Sequence, residues 1–268
     1  MTAPLVRKVD HILVPVADPQ PLHDLFTRTL GLPAAWPVMQ RGSYFSGAVC
    51  FGNANLEFIR GDGTLPFLTA VEPLVARAIA FEPVASSGWA DELTARGLPS
   101  VGPMRGEGES IHGGHRLLYE NTFVLGMIDD ETGTFLCYYH SEEAMRGDAA
   151  TAALREAGGG VIGALGLAEI TIGLSDMEAG MERWKRFLAP IEPDAHGAFH
   201  FSEGPAVRLK ESPIDGVAGL WVEVASLAAA RDALRERELL GPMRASGIGL
   251  NYARNGGLDV WLTEARPT

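Results

Sequence analysis

The sequence predicts an α+β fold built from four successive βαβββ units. Three observations lead there. The chain repeats itself at long range, each repeat opens with a strand followed by a helix, and strand-like segments follow each helix. Set "VDHILVPVADPQ" against "LAEITIGLSDME": Val9 matches Leu167, Ile12 matches Ile170, Val14 matches Ile172 and Asp18 matches Asp176, at an offset of 158 residues. A second pair is "AIAFEPVASSGWADELTARGLPSVGPMR" and "GLWVEVASLAAARDALRERELLGPMR". There Glu82 matches Glu223, Leu93 matches Leu234, and GPMR recurs at an offset of 139. A repeat held in register with a strand and a helix is the signature of duplicated units.

The elements follow in order. Val9, Ile12, Leu13, Val14 and Val16 form an apolar run of strand length. Asp18 then caps a helix, Pro19 occupies its first position, and Leu22, Leu25, Phe26 and Leu30 give the apolar stripe, closed by Gly31. In the third unit Ser175 or Asp176 caps, and Met177, Met181, Trp184 and Leu188 recur at helical spacing. The expected helices are 19–30, 86–96, 177–188 and 227–237. Strands are expected in "GSYFSGAVCF" and "NLEFIRG", then "HRLLYEN", "TFVLGMI" and "TFLCYYH", then "GAFHFS" and "AVRLKE", and finally "GIGLNYAR" and "LDVWLTE". The domains divide as 1–140, a linker of 141–164 whose Ala-rich middle is helical and ends at Gly158–Gly160, and 165–268.

Composition limits the partners. Of the 268 residues 46% are apolar and 21% charged, an ordinary globular balance, and the net charge is −12. That acidity argues against nucleic acid and anionic membrane surfaces. The N-terminus lacks the apolar core of a signal peptide, and no stretch approaches the length of a spanning helix. Cys50 and Cys137, the two cysteines, lie in strand-like segments and read as small core residues of a cytoplasmic protein, monomer or homodimer. No phosphate loop, dinucleotide fingerprint or serine elbow is present.

His11 interrupts the first strand. Alternation places Ile12, Val14 and Val16 toward the helix and His11 with Leu13 on the other face. In "NLEFI", Glu57 shares its parity with Asn55 and Ile59. Where a fold brings an imidazole and a carboxylate into one apolar cavity, they are donor chemistry for Fe, Mn, Ni, Co or Zn. A satisfied, cavity-lining histidine is the other reading.

Four units carrying "VDHILVPVAD", "NLEFI", "AIAFEP" and "FLCYYH" resemble the vicinal oxygen chelate superfamily, in its glyoxalase-like branch. The resemblance covers about 8–140 and 165–264. It implies paired units forming cupped mixed sheets with helices outside, a divalent metal ion on His11 and Glu57, and a small-molecule substrate with vicinal oxygens. Isomerase, lyase or dioxygenase chemistry would fit. The matching positions in the second unit are Ala78 and, at the closing strand, Tyr138; His140 shares its face, and both are candidate catalytic proton donors or acceptors. In the second half Glu169 stands for the histidine, Arg208 or Val207 for the closing Glu, Gly219 opens the fourth unit, and Trp261 lies near its closing position. A Glu169–Arg208 ion pair would fill that cup. Glu82 and Glu223 read as structural, and His112 with His115 as part of a solvated turn. The alternative function is metal-free sequestration of a small molecule, as in bleomycin-binding relatives.

Overall fold

In a computed structural model describing residues 3–109, 115–140 and 147–265, the interrupted strand is β1 (Val6–Pro15). It lies in the middle of its sheet, which explains why its residues are buried from Val9 to the end. The first unit continues with α1 (Pro19–Asp24), capped by the Asp18 side chain on the Gln20 amide and prolonged by a π-helical turn over Leu25–Thr29. Gly31 follows at φ +73°, a left-handed conformation that suits glycine. Then come β2 (Ala34–Arg41), β3 (Tyr44–Cys50) and β4 (Asn55–Arg60). The second unit is β5 (Ala78–Pro83), α2 (Trp89–Ala95), β6 (Ser100–Glu109), β7 (His115–Val124) and β8 (Gly133–Tyr139). The linker carries α3 (Gly147–Glu156).

The third unit is β9 (Ala164–Leu174), α4 (Met177–Leu188), β10 (Ala198–Phe199) and β11 (Ala206–Glu211). The fourth is β12 (Gly216–Val224), α5 (Leu227–Glu236), β13 (Leu240–Arg244), β14 (Gly247–Leu250) and β15 (Val260–Glu264). One correction to the expected pattern falls in the third unit, which is βαββ. Between α4 and β10 lie only residues 189–197, and they include Pro190 and Pro193, which cannot donate to a ladder.

Two mixed sheets result, ordered β2-β3-β4-β1-β5-β8-β7-β6 and β10-β11-β9-β12-β15-β14-β13. The fold is thus α+β with cupped sheets. Units one and two pair through antiparallel β1 and β5, units three and four through antiparallel β9 and β12. GPMR now has a physical reading. Both copies lie on an outermost strand, β6 and β13, at a break in register: between Val101 and Met104, and between Leu240 and Met243. A strand proline is tolerated at an edge or a bulge.

The helix-facing side of β1, with Val9, Ile12, Val14 and Val16, joins Leu22, Phe26, Leu56 and Phe58 in the main core. That core continues into the second half. Phe81 of β5 packs edge-on against Phe187 of α4 at 5.2 Å between ring centroids and against Trp184 at 6.0 Å.

Candidate small-molecule site and metal donors

The other side of β1 faces a smaller cluster. Leu13, Ile59, Ala78, Ala80, Phe135 and Cys137 pack there, with Tyr44, Phe67, Phe123 and Tyr139 around them. They enclose a cavity of about 350 Å³ lined by His11 and Glu57 among others. Strand alternation placed both groups correctly: Leu56 and Phe58 face the main core, Glu57 and Ile59 the cup.

His11 is buried and has a carboxylate beside each ring nitrogen. Asp10 Oδ2 lies 2.6 Å from Nδ1, and Glu57 Oε2 lies 3.5 Å from Nε2. Consecutive residues of a regular strand point to opposite faces. Here the β1–β5 register slips between Val9 and His11, so Asp10 is an extra residue and its side chain is turned back to the histidine. An Nδ1–H donated to Asp10 leaves the Nε2 lone pair directed at the cavity, the arrangement that orients metal-ligating histidines. Glu57 is buried at 7% exposure. Desolvation raises its pKa, opposed by His11, a Ser46 hydrogen bond and the Arg41 charge. Ser46 in turn accepts a hydrogen bond from Trp36 Nε1 at 3.2 Å.

These donors fit half of a metal shell. Two ligands bonded at about 2.1 Å to one tetrahedral ion stand about 3.4 Å apart, close to the observed 3.5 Å between Nε2 and Oε2. Pairing registers locate the other two positions. Leu13 faces Glu57 on β4, and the equivalent residue of β5, Ala80, faces Phe135 on β8. At those two register positions Ala78 and Phe135 offer no ligand atom to an ion.

Tyr138 and His140 do not line this cavity, and their expected placement is corrected. Parity on β8 puts Phe135, Cys137 and Tyr139 in the cup, while Tyr138 packs against the main core and the Trp89 ring of α2 at 5.6 Å. His140 stacks edge-on on Tyr138 at 5.0 Å, with Nε2 3.4 Å from Glu120 Oε2. The sequence comparison had displaced the closing position by three residues, which reverses the face.

Hydroxyls do reach the cavity from elsewhere. Tyr44 of β3 and Tyr119 of β7, one from each unit, bring their oxygens to 2.7 Å across the cup. Burial first, and then the neighbouring negative groups, hold Tyr44 well above the ordinary phenol pKa; burial also raises Tyr119. Both stay protonated at neutral pH. Tyr44, Tyr119, Asp10 and Phe135 were not singled out in the sequence, and Cys137 was read as core. For Asp10 the only sequence signal is its place beside His11, which strand alternation argues against. His112 and the side chain of His115 lie outside the described residues.

In the second half the matching positions hold an ion pair. Arg208 faces Thr171 across β11 and β9 as Glu57 faces Leu13, which assigns the matching position to Arg208 rather than Val207. Its Nε donates to Glu169 Oε2 at 2.7 Å. Trp221 donates to Thr171 Oγ1 at 3.2 Å and stacks on Trp261 at 5.7 Å, and the Arg244 guanidinium lies 4.0 Å over the Trp261 ring. Glu82 forms ion pairs with Arg7 at 3.2 Å and Lys8 at 3.9 Å, in line with a structural role.

No family model and no curated relative matches the sequence. Solved structures do match in fold. One is a hypothetical protein from Staphylococcus aureus, with 10% identity, 96% of this chain and 99% of that one covered, and a TM-score of 0.61. A mutant 4-hydroxymandelate synthase from Streptomyces coelicolor aligns at 14% identity over 99% and 95% of the two chains, with a TM-score of 0.63. A catechol 2,3-dioxygenase aligns at 11% identity over 99% and 90%, with a TM-score of 0.60. What the chain shares with these structures is the fold, traced over nearly the whole of each chain. At such identities the likeness concerns the fold, and function has to be argued from the site. Among the described residues no helix is long and apolar enough to cross a membrane.

Proposed function

We propose that the cup of the first half is the active site of an enzyme acting on a small molecule with vicinal oxygens, with His11 and Glu57 as the protein ligands of one divalent ion. The observation that carries this reading is the buried Glu57 carboxylate 3.5 Å from His11 Nε2, with Asp10 behind the imidazole. A buried carboxylate is costly without a cationic partner. A divalent ion there supplies Lewis acidity to two adjacent ligand oxygens and to negative charge developing on them.

The chain's own residues do the rest. Asp10 fixes the tautomer of His11 and Ser46 orients Glu57. Phe67, Phe123 and Phe135, with ring centroids 5.3 and 5.1 Å apart in succession, form a wall that excludes water. Of the Tyr44 and Tyr119 hydroxyls, which bond each other, the one that accepts within the pair keeps its own O–H as a hydrogen-bond donor to a ligand oxygen. Isomerase, lyase or dioxygenase chemistry would each fit such a site.

A titration of the full chain with Mn2+, followed by electron paramagnetic resonance, tests the metal. One ion per chain is expected, lost in His11→Ala and in Glu57→Ala. The second reading, metal-free binding of a small molecule, is favoured by Ala78 and Phe135 at the two remaining positions. A wild-type protein that takes up no Mn2+ would leave that reading in place of the first.

A further inference from the structure

We infer that Asp10, His11 and Cys137 form a second cation position, one that shares His11 with the first and does not use Glu57 as a ligand, for a thiophilic divalent ion such as Zn2+ or Co2+. One ligand atom from each of the three lies within 4.8 Å of the others, and all three residues are buried. Two features of the fold produce the cluster. The register slip in β1 sets the Asp10 carboxylate against Nδ1 of the next residue. On β5, Ala78 and Ala80 leave the space beside β1 open, so the His11 ring reaches across to β8 and meets Phe135 edge-on at 5.7 Å. Cys137 lies two residues further along β8, on the same face, and lines the cavity.

The donor types then choose the ion. A carboxylate oxygen, an imidazole nitrogen and a thiolate suit zinc and cobalt, whereas manganese prefers oxygen donors. Three protein donors leave one position open toward the cavity. An ion that takes Nδ1 replaces its proton and parts that nitrogen from Asp10 Oδ2, from the 2.6 Å of the present hydrogen bond to the ~3.4 Å of two ligands on one tetrahedral ion. The ring proton moves to Nε2, where Glu57 accepts it, and the thiol proton passes to solvent. A neutral imidazole has one lone pair, so an ion on this side and an ion on the Glu57 side compete for His11.

The inference goes beyond the proposed function and does not require it. Its test is Co2+ titration of the full chain, read by the near-ultraviolet thiolate-to-cobalt charge-transfer band. The band is expected in the wild type and in Glu57→Gln. Cys137→Ser should abolish it and weaken Co2+ binding at least ~10-fold, since loss of an outer-shell partner alone costs ~10–100-fold. Should that variant fail to fold, X-ray absorption of Zn2+-loaded wild type gives the same answer, with one sulfur expected at about 2.3 Å. Co2+ bound without the band, a band that survives in Cys137→Ser, a band lost in Glu57→Gln, no uptake at all, or a zinc shell without sulfur would each overturn it. Mn2+ uptake dependent on Glu57 stands or falls separately.

Discussion

His11 shows how one side chain acquires a role through its neighbours. Asp10 at Nδ1 and Glu57 before Nε2 fix its ring orientation, and the shorter contact, to Asp10, favours the proton on Nδ1. Asp10→Asn keeps the shape and removes the charge, so Mn2+ affinity should fall ~10–100-fold while circular dichroism stays that of the wild type. Unchanged affinity would mean that Asp10 does not prepare the ligand. His23 is the contrasting case. Its Nε2 lies 3.2 Å from the Trp36 carbonyl oxygen and donates to it, and Nδ1 is buried with no partner among the described residues. Burial holds its pKa below the ordinary 6.5, against smaller raising effects from the Trp36 carbonyl and Asp24. In that window the unfolded chain binds the proton more readily than the folded one. The contribution of His23 to stability is therefore complete above about 6.5 and declines as the pH falls through the folded value. Urea unfolding at pH 7.5 and pH 5.5 should show a loss at the lower pH that shrinks in His23→Gln; an equal loss in both would refute the assignment.

At the level of elements, most of the architecture was legible because it rests on periodicity. Helices α4 and α5 begin at the expected Met177 and Leu227, with Asp176 capping the first as one of its two candidates and Ser226, not singled out in the sequence, capping the second; the cup-facing parity of His11 and Glu57 follows from alternation. What was not legible depends on counts along a strand. A register error of odd length exchanges the two faces, so Tyr138 was expected in the cup that Cys137 and Tyr139 occupy. The slip that recruits Asp10 leaves no periodic trace at all. The strand missing from the third unit could be read afterwards from its two prolines. The second and fourth units gain β6 and β13 over segments where only GPMR hinted at a strand, and the two strands expected in "HRLLYEN" and "TFVLGMI" are one, β7. The Glu169–Arg208 pair was legible from the substitutions themselves, and it forms with side chains less than a third exposed, at 28% for Arg208 and 18% for Glu169. Arg208 also donates to the His196 carbonyl at 2.9 Å. Arg208→Met should thus lower stability by about 1–2 kcal/mol in chemical denaturation and leave Mn2+ and Co2+ uptake unchanged. Loss of either ion in this variant would place the site in the wrong half.

On the scale of the whole molecule the two sheets share one interior. Asn53 of the first half bonds both the amide and the carbonyl of Leu167 in the second, at 2.9 and 2.7 Å. Arg96, after α2, directs its guanidinium to the carbonyls of Arg186, Phe187 and Ala189, each at 3.0 Å, and to that of Ala3 at 2.7 Å. The last turn of α4 is thereby closed by a side chain from the other half, which satisfies carbonyls a helix leaves open. Phe81 is fully buried, with Trp184, Phe187 and Phe201 around it. The division at 1–140 and 165–268 consequently separates sheets, and each piece alone would expose aromatic surface the other now covers. Phe81→Ala should cost about 3–5 kcal/mol, and the full chain should unfold in a single transition in both wild type and variant. A first transition unaffected by Phe81→Ala, with the loss confined to a second, would show that the halves fold independently. The expressed segment 1–140 supplies the complementary measurement. It carries the entire cup yet lacks α4, so it should fail to give a cooperative transition or bind Mn2+ as the full chain does, because the helix that covers Phe81 belongs to the half without the site.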